Sequence, residues 1–88
     1  MADAEIAQGL AHAIARFPKS AATLRRLALT NQPFRELCAA YALAEWSLAG
    51  FEARLDAAER PEIGDYRTVI AELESEIDRF LREAGISG

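Results

Sequence analysis

"FRELCAAYALAEWSLAGF", residues 34–51, reads as a helix with too few charges for a surface position, since Arg35, Glu36 and Glu45 are its only ones. Phe34, Leu37, Tyr41, Ala44, Leu48, Phe51 and Leu55 follow one another at spacings of 3, 4, 3, 4, 3 and 4. That alternation is the mark of a coiled-coil seam. The opposite side carries Ala39, Ala42, Leu43, Trp46, Ala49, Gly50 and Ala53, again without a charge. A helix that is apolar on two faces needs neighbours on both.

The first neighbour follows in the chain. Ile63, Tyr66, Ile70, Leu73, Ile77, Phe80 and Ala84 repeat the same alternation beyond Pro61. The spacing predicts a long helix over about Gln32–Ala58 and a second over about Pro61–Ala84, with Gly85 as its left-handed cap. A short break between two heptad runs specifies an antiparallel hairpin. Pairing Leu55 with Tyr66 and Phe51 with Ile70 centres the turn on Arg60–Pro61 and is the preferred register. The alternative sets Phe51 opposite Ile63 and centres the turn on Ala57, a good helix former.

Two shorter helices precede the hairpin. The first is expected over Asp3–Arg16, with Asp3 as N-cap and Ile6, Leu10, Ala13, Ile14 and Phe17 as its stripe. Gly9 weakens it by about 1 kcal/mol relative to alanine, and Pro18 ends it. The second is expected from Lys19 or Ser20 to Leu29, with Leu24, Leu27 and Ala28 inward. Thr30 or Asn31 can cap the next helix, and Pro33 suits its first turn. These helices are the candidates to cover the back of the long one. The expected fold is therefore all-α: a coiled-coil-like helical hairpin, residues 32–85, with two N-terminal helices, residues 1–31, packed on it as one four-helix domain of 88 residues.

An 88-residue chain buries only roughly 60–65% of its unfolded surface, so such a domain often leans on a partner or on its own copy. One cysteine, Cys38, excludes an internal disulfide and fits a reducing cytoplasm. No apolar run reaches the roughly 18–20 residues of a membrane span, and the N-terminal stretch lacks a signal peptide's basic start and apolar core. The expected location is cytoplasmic.

Chemistry-bearing patterns are sparse. One histidine, His12, and one cysteine supply neither a zinc set nor a recognisable nucleophilic pair. No glycine-rich phosphate loop occurs. Neither cofactor nor metal is expected, and the chain does not read as an enzyme. His12 reads as a rim residue and Cys38 as a small buried hydrophobe. Glu72, Glu74, Glu76 and Asp78 read as a solvated face.

Charge is segregated. Residues 6–35 hold five basic groups and no acidic one, Arg16, Lys19, Arg25, Arg26 and Arg35, whereas residues 36–88 hold twelve acidic and five basic groups. The simplest reading is that the two halves fold onto each other. The sharper one makes the five basic residues a patch for an acidic ligand or nucleic acid. Against nucleic acid stand the net charge of −4 and the lack of any recognition motif.

The segment from Leu24 to Leu81, with Phe34, Leu37, Cys38 and Tyr41 as an F-x-x-L-C-x-x-Y run followed by an acidic closing helix, resembles a set of short, uncharacterised all-helical bacterial proteins. That resemblance implies a helical fold and carries no assigned activity. The leading expectation is a protein–protein interaction module, homodimeric, using Leu43, Trp46, Ala49, Gly50 and Ala53. The alternative is a small regulator acting through the basic segment.

Overall fold

A computed structural model describes the backbone of residues 2–54 and 56–87, and the side chains of residues 8–54, 56 and 58–85. The chain forms α1 (Ala2–Arg16), a 3-10 turn (Pro18–Ser20), α2 (Ala21–Thr30), α3 (Gln32–Glu52), a second 3-10 turn (Ala57–Glu59) and α4 (Pro61–Ser87). No strand occurs among the described residues. The elements stop where the local chemistry requires. Phe17, ahead of Pro18, leaves helical geometry at φ −126° and ψ 64°. Asn31 is extended and accepts the amide of Phe34 at 3.0 Å, capping α3, with Pro33 in the first turn. Helix α1 begins one residue ahead of Asp3, which is therefore inside the helix rather than its cap. The side chains of Asp3 and Ile6, and the whole of Leu55, lie outside the described residues.

Helices α3 and α4 form the antiparallel pair. Phe34 meets Phe80 edge-on at 5.3 Å between centroids, and Phe51 stacks obliquely on Tyr66 at 5.6 Å. Tyr41 reaches Glu74, and Glu52 receives a hydrogen bond from Arg67. Phe34 opposite Phe80 belongs to the register centred near Ala57, one heptad from the preferred one, which is corrected accordingly. The reason is that α3 ends at Glu52 rather than Ala58. Gly50 weakens its last turn, and acidic groups are unfavourable at a helix C-terminus. Asp56 serves the turn instead. It accepts from Arg60 at 2.9 Å, and that hydrogen bond holds its carboxyl below the usual carboxylate range. At the other end, α4 runs on to Ser87. Gly85 is thus a helical residue and not a left-handed cap, and no described residue has positive φ.

Helix α1 packs on α3 as extensively as α4 does. The approach is closest at Gly9, where a Cβ would lie 2.7 Å from the carbonyl carbon of Cys38 and 2.8 Å from the amide nitrogen of Ala39. Gly9 is therefore a contact point between two backbones, and not simply a weak spot in α1. Ala13, Leu24, Ala28, Phe34, Cys38, Tyr41 and Ile77 form the buried cluster, with Leu10, Ile14, Phe17, Leu27 and Leu37 around it. Arg35 donates to the carbonyl oxygen of Ala28 at 2.8 Å, placing a cation at the C-terminal turn of α2. The molecule is elongated, 47 × 28 × 20 Å, because α4 alone is 27 residues long.

Candidate interaction surface

Helix α3 is covered by α4 along its seam and by α1 over part of its back. The contacts with α1 follow both chains together: Gly9 lies on Cys38–Ala39, and His12 Nδ1 bonds Glu45 Oε1 at 2.8 Å. Ala39 and Ala42 are half-buried as a result. Beyond them the cover stops. Trp46 is 74% exposed and Leu43 61%. Ala49, Gly50 and Ala53 are exposed too, and nothing lies within 4 Å of a Cβ built at Gly50. The expectation that the N-terminal helices cover the whole back from Ala39 to Ala53 is thus corrected. Pro18 turns the chain away at the end of α1, and the C-terminal half of the back stays bare.

The charges bordering this stripe are turned to their own chain. Glu45 binds His12, Glu52 accepts from Arg67 at 2.8 Å, and Arg54 stands over the ring of Phe51 at 5.7 Å. The outcome is a neutral strip from Leu43 to Ala53 on a protein whose net charge is −4.

The basic residues do not act together. Arg16 donates to Glu74 at 3.0 Å and lies over Phe17, and Arg35 caps α2. Lys19, Arg25 and Arg26 are exposed, and among the described residues none of their side chains has an ion-pair or hydrogen-bond partner. Among the described residues, the ion pairs that tie the basic half to the acidic half are Arg16–Glu74 and, when His12 is protonated, His12–Glu45. The other ion pairs, Arg60–Asp56, Arg60–Glu62, Arg67–Glu52, Arg79–Glu76 and Arg82–Asp78, lie within the hairpin.

One polar cluster joins three helices. Tyr41 donates its hydroxyl to Glu74 Oε2 at 2.8 Å, the same oxygen that receives Arg16. Burial and then the Glu74 hydrogen bond push the Tyr41 phenol well above its usual range, so it stays protonated. The heptad pattern placed Tyr41 in the seam but gave no polar partner. The available signal was an acid, Glu74, next to the seam residue Leu73. Cys38 is 2% exposed, and burial pushes its thiol up to about 11. A buried neutral thiol is a poor nucleophile. Among the described residues no group of three or more His, Cys, Asp or Glu side chains could hold a metal. A shallow groove at the hairpin tip, lined by Glu52, Ala58, Arg60, Ile63, Gly64 and Arg67, has its arginines bonded to Glu52 and Asp56.

No known protein family matches the chain, and no curated protein or solved structure is significantly similar to it. No described helix is long and apolar enough to cross a membrane.

Proposed function

We propose that this chain is a non-enzymatic protein–protein interaction module that self-associates as a homodimer through the exposed back of α3. The observation that carries this reading is Trp46, 74% exposed beside Leu43 at 61%, on a strip free of charge. Tryptophan is enriched at interface centres, where a large flat side chain loses water without losing much rotamer freedom. An apolar strip rimmed by charged side chains is the usual form of a protein contact surface. A single cysteine, buried and outside any disulfide within the chain, fits a cytoplasmic setting.

Sedimentation equilibrium tests the reading. The wild type is expected to dimerise at micromolar concentration and Trp46→Glu to be monomeric with unchanged helical circular dichroism, because Trp46 contributes little to the core. A wild-type monomer across the accessible concentration range rejects self-association.

The second reading, an acidic ligand or nucleic acid on the basic segment, rests on Lys19, Arg25 and Arg26 alone, since Arg16 and Arg35 are engaged within the fold. Three cations on a protein of net charge −4 would give weak binding that falls steeply with salt.

A further inference from the structure

We propose that the second copy docks antiparallel along α3, about a two-fold axis at the level of Leu48, with Trp46 of each protomer seated on the partner's Gly50 and Leu43 on the partner's Ala53. The proposal rests on the self-association reading above and adds the geometry of the contact.

Three observations lead to it. The first is the order of sizes along the strip. Leu43 and Trp46 are large, and Gly50 and Ala53 are small, at spacings of 3, 4 and 3. Read backwards against itself, that order sets each large side chain on a small one. Reading it in parallel sets tryptophan on tryptophan and leaves Gly50 facing a void. The site above Gly50 is open, so the notch that would take the indole is already there.

The second observation is that the register is bounded at both ends. Helix α1 half-covers Ala39 and Ala42, so a partner helix cannot advance past Leu43. Helix α3 itself ends at Glu52, so it offers no helical surface beyond Ala53. Under a two-fold axis the covered end of one protomer meets the terminated end of the other. The pairing of 43 with 53 and 46 with 50 uses the whole free stretch of both copies.

Charge is the third. Self-association of an anionic protein is opposed wherever like charges face each other. Here Glu45, Glu52 and Arg54 are held by His12, Arg67 and Phe51 of their own chain, and the residues beside the proposed axis are Ser47 and Ala49. Trp46 and Leu43 alone would bury on the order of 300 Å² per protomer, about 600 Å² over both copies, so without the flanking residues the contact falls short of the roughly 1,200 Å² of a stable interface and ranks as a weak, transient one.

Variants that each add one cysteine read the geometry, with the wild type as control because Cys38 is buried. Under mild oxidation Ala49→Cys is expected to form a disulfide-linked dimer on its own. Leu43→Cys and Ala53→Cys are expected to link to each other when mixed, and neither to link to itself. Gly50→Leu fills the notch and is expected to weaken dimerisation at least tenfold while the monomer stays folded. Self-linking of Leu43→Cys as readily as Ala49→Cys would show a parallel dimer and overturn the arrangement while leaving self-association intact. A dimer by sedimentation with no crosslink at any of these positions, or one indifferent to Gly50→Leu, overturns it as well. A monomeric wild type removes the underlying reading instead.

Discussion

Replacing Gly9 with alanine sets two opposite expectations against each other. Local propensity favours the variant, because alanine in a helix interior is about 1 kcal/mol better than glycine. Packing opposes it. The new Cβ would stand 2.7–2.8 Å from the carbonyl group of Cys38 and the amide nitrogen of Ala39. Those are backbone atoms in the middle of α3, and no rotamer change can move them. Relief needs α1 to back away by roughly 0.7 Å to reach ordinary contact, and a gap of that size forfeits a quarter to a half of each dispersion contact it opens. The contacts at stake include the fully buried Ala13 and the half-buried Leu10, Ile14 and Phe17. Overpacking of this kind costs about 1–3 kcal/mol, and rigid partners place Gly9 near the upper end. Subtracting the propensity gain leaves a net loss of about 2 kcal/mol. For a domain of this size that lowers Tm by roughly 8–16 °C. Gly64→Ala is the control, since a Cβ there meets nothing within 4 Å and α4 gains the propensity term alone. Thermal unfolding followed by circular dichroism should show the two variants moving in opposite directions. If Gly9→Ala raises Tm as Gly64→Ala does, the close approach of α1 and α3 is wrong.

Three further outcomes follow from the core and the hairpin. The Cys38 thiol and the Tyr41 phenol are both raised by burial, so the unfolded chain ionises first as pH rises; stability is whole below about pH 9 and falls as pH climbs through about 11 for Cys38, with Tyr41 adding to the loss in the same direction. Native Cys38 should accordingly react with iodoacetamide at pH 8 at least about 100-fold more slowly than in denaturant, and comparable rates would contradict its burial. In a Cys38→Ala background, cysteines replacing Leu48 and Tyr66 should crosslink within one chain, whereas efficient linking of Leu48 to Leu73 would select the other register.

Much of the architecture was legible because the breaks and the periodicity are both strong local signals. Pro18, Asn31 with Pro33, and Pro61 each act on one or two residues, and the structure breaks at all of them. The 3, 4 alternation in α3 and α4 gives the pairing face without any knowledge of the partner. The register was not legible for a related reason. The alternation continues to Leu55, so the sequence contains a heptad that the helix does not use. Choosing between two turns one heptad apart needs the relative cost of unwinding Ala53–Ala58 and of extending α3, and the weak helix around Gly50 with Asp56–Arg60 decides that. Gly9 was misread because a propensity scale treats glycine alike everywhere. Its place beside Leu10 on the apolar stripe, four residues before Ala13, was the available clue. The basic segment failed as a unit because charge runs along the chain ignore direction. Arg16 and Arg35 are engaged by Glu74 and the Ala28 carbonyl of their own chain, whereas the exposed side chains of Arg25 and Arg26 are not.

The exposed strip also lies where the protein's own packing is thinnest. The main buried cluster is drawn from all four helices, and α3 enters it at Phe34, Cys38 and Tyr41. Toward the hairpin tip the support is narrower: the Phe51–Tyr66 contact, the buried Ile63, and the ion pairs Arg67–Glu52 and Arg60–Asp56. Exposed ion pairs are screened by solvent and contribute little, so they hold the tip only lightly. Helix α3 nevertheless continues there from Tyr41, its last residue in the cluster, for about three turns to Glu52, carrying Trp46 on its bare side. A partner bound along Leu43–Ala53 would stabilise that stretch in proportion to the logarithm of its concentration over its dissociation constant. Partner binding and order at the tip are therefore coupled. Substitutions such as Tyr66→Ala on α4, which loosen the tip without touching the strip, should weaken association as well as stability.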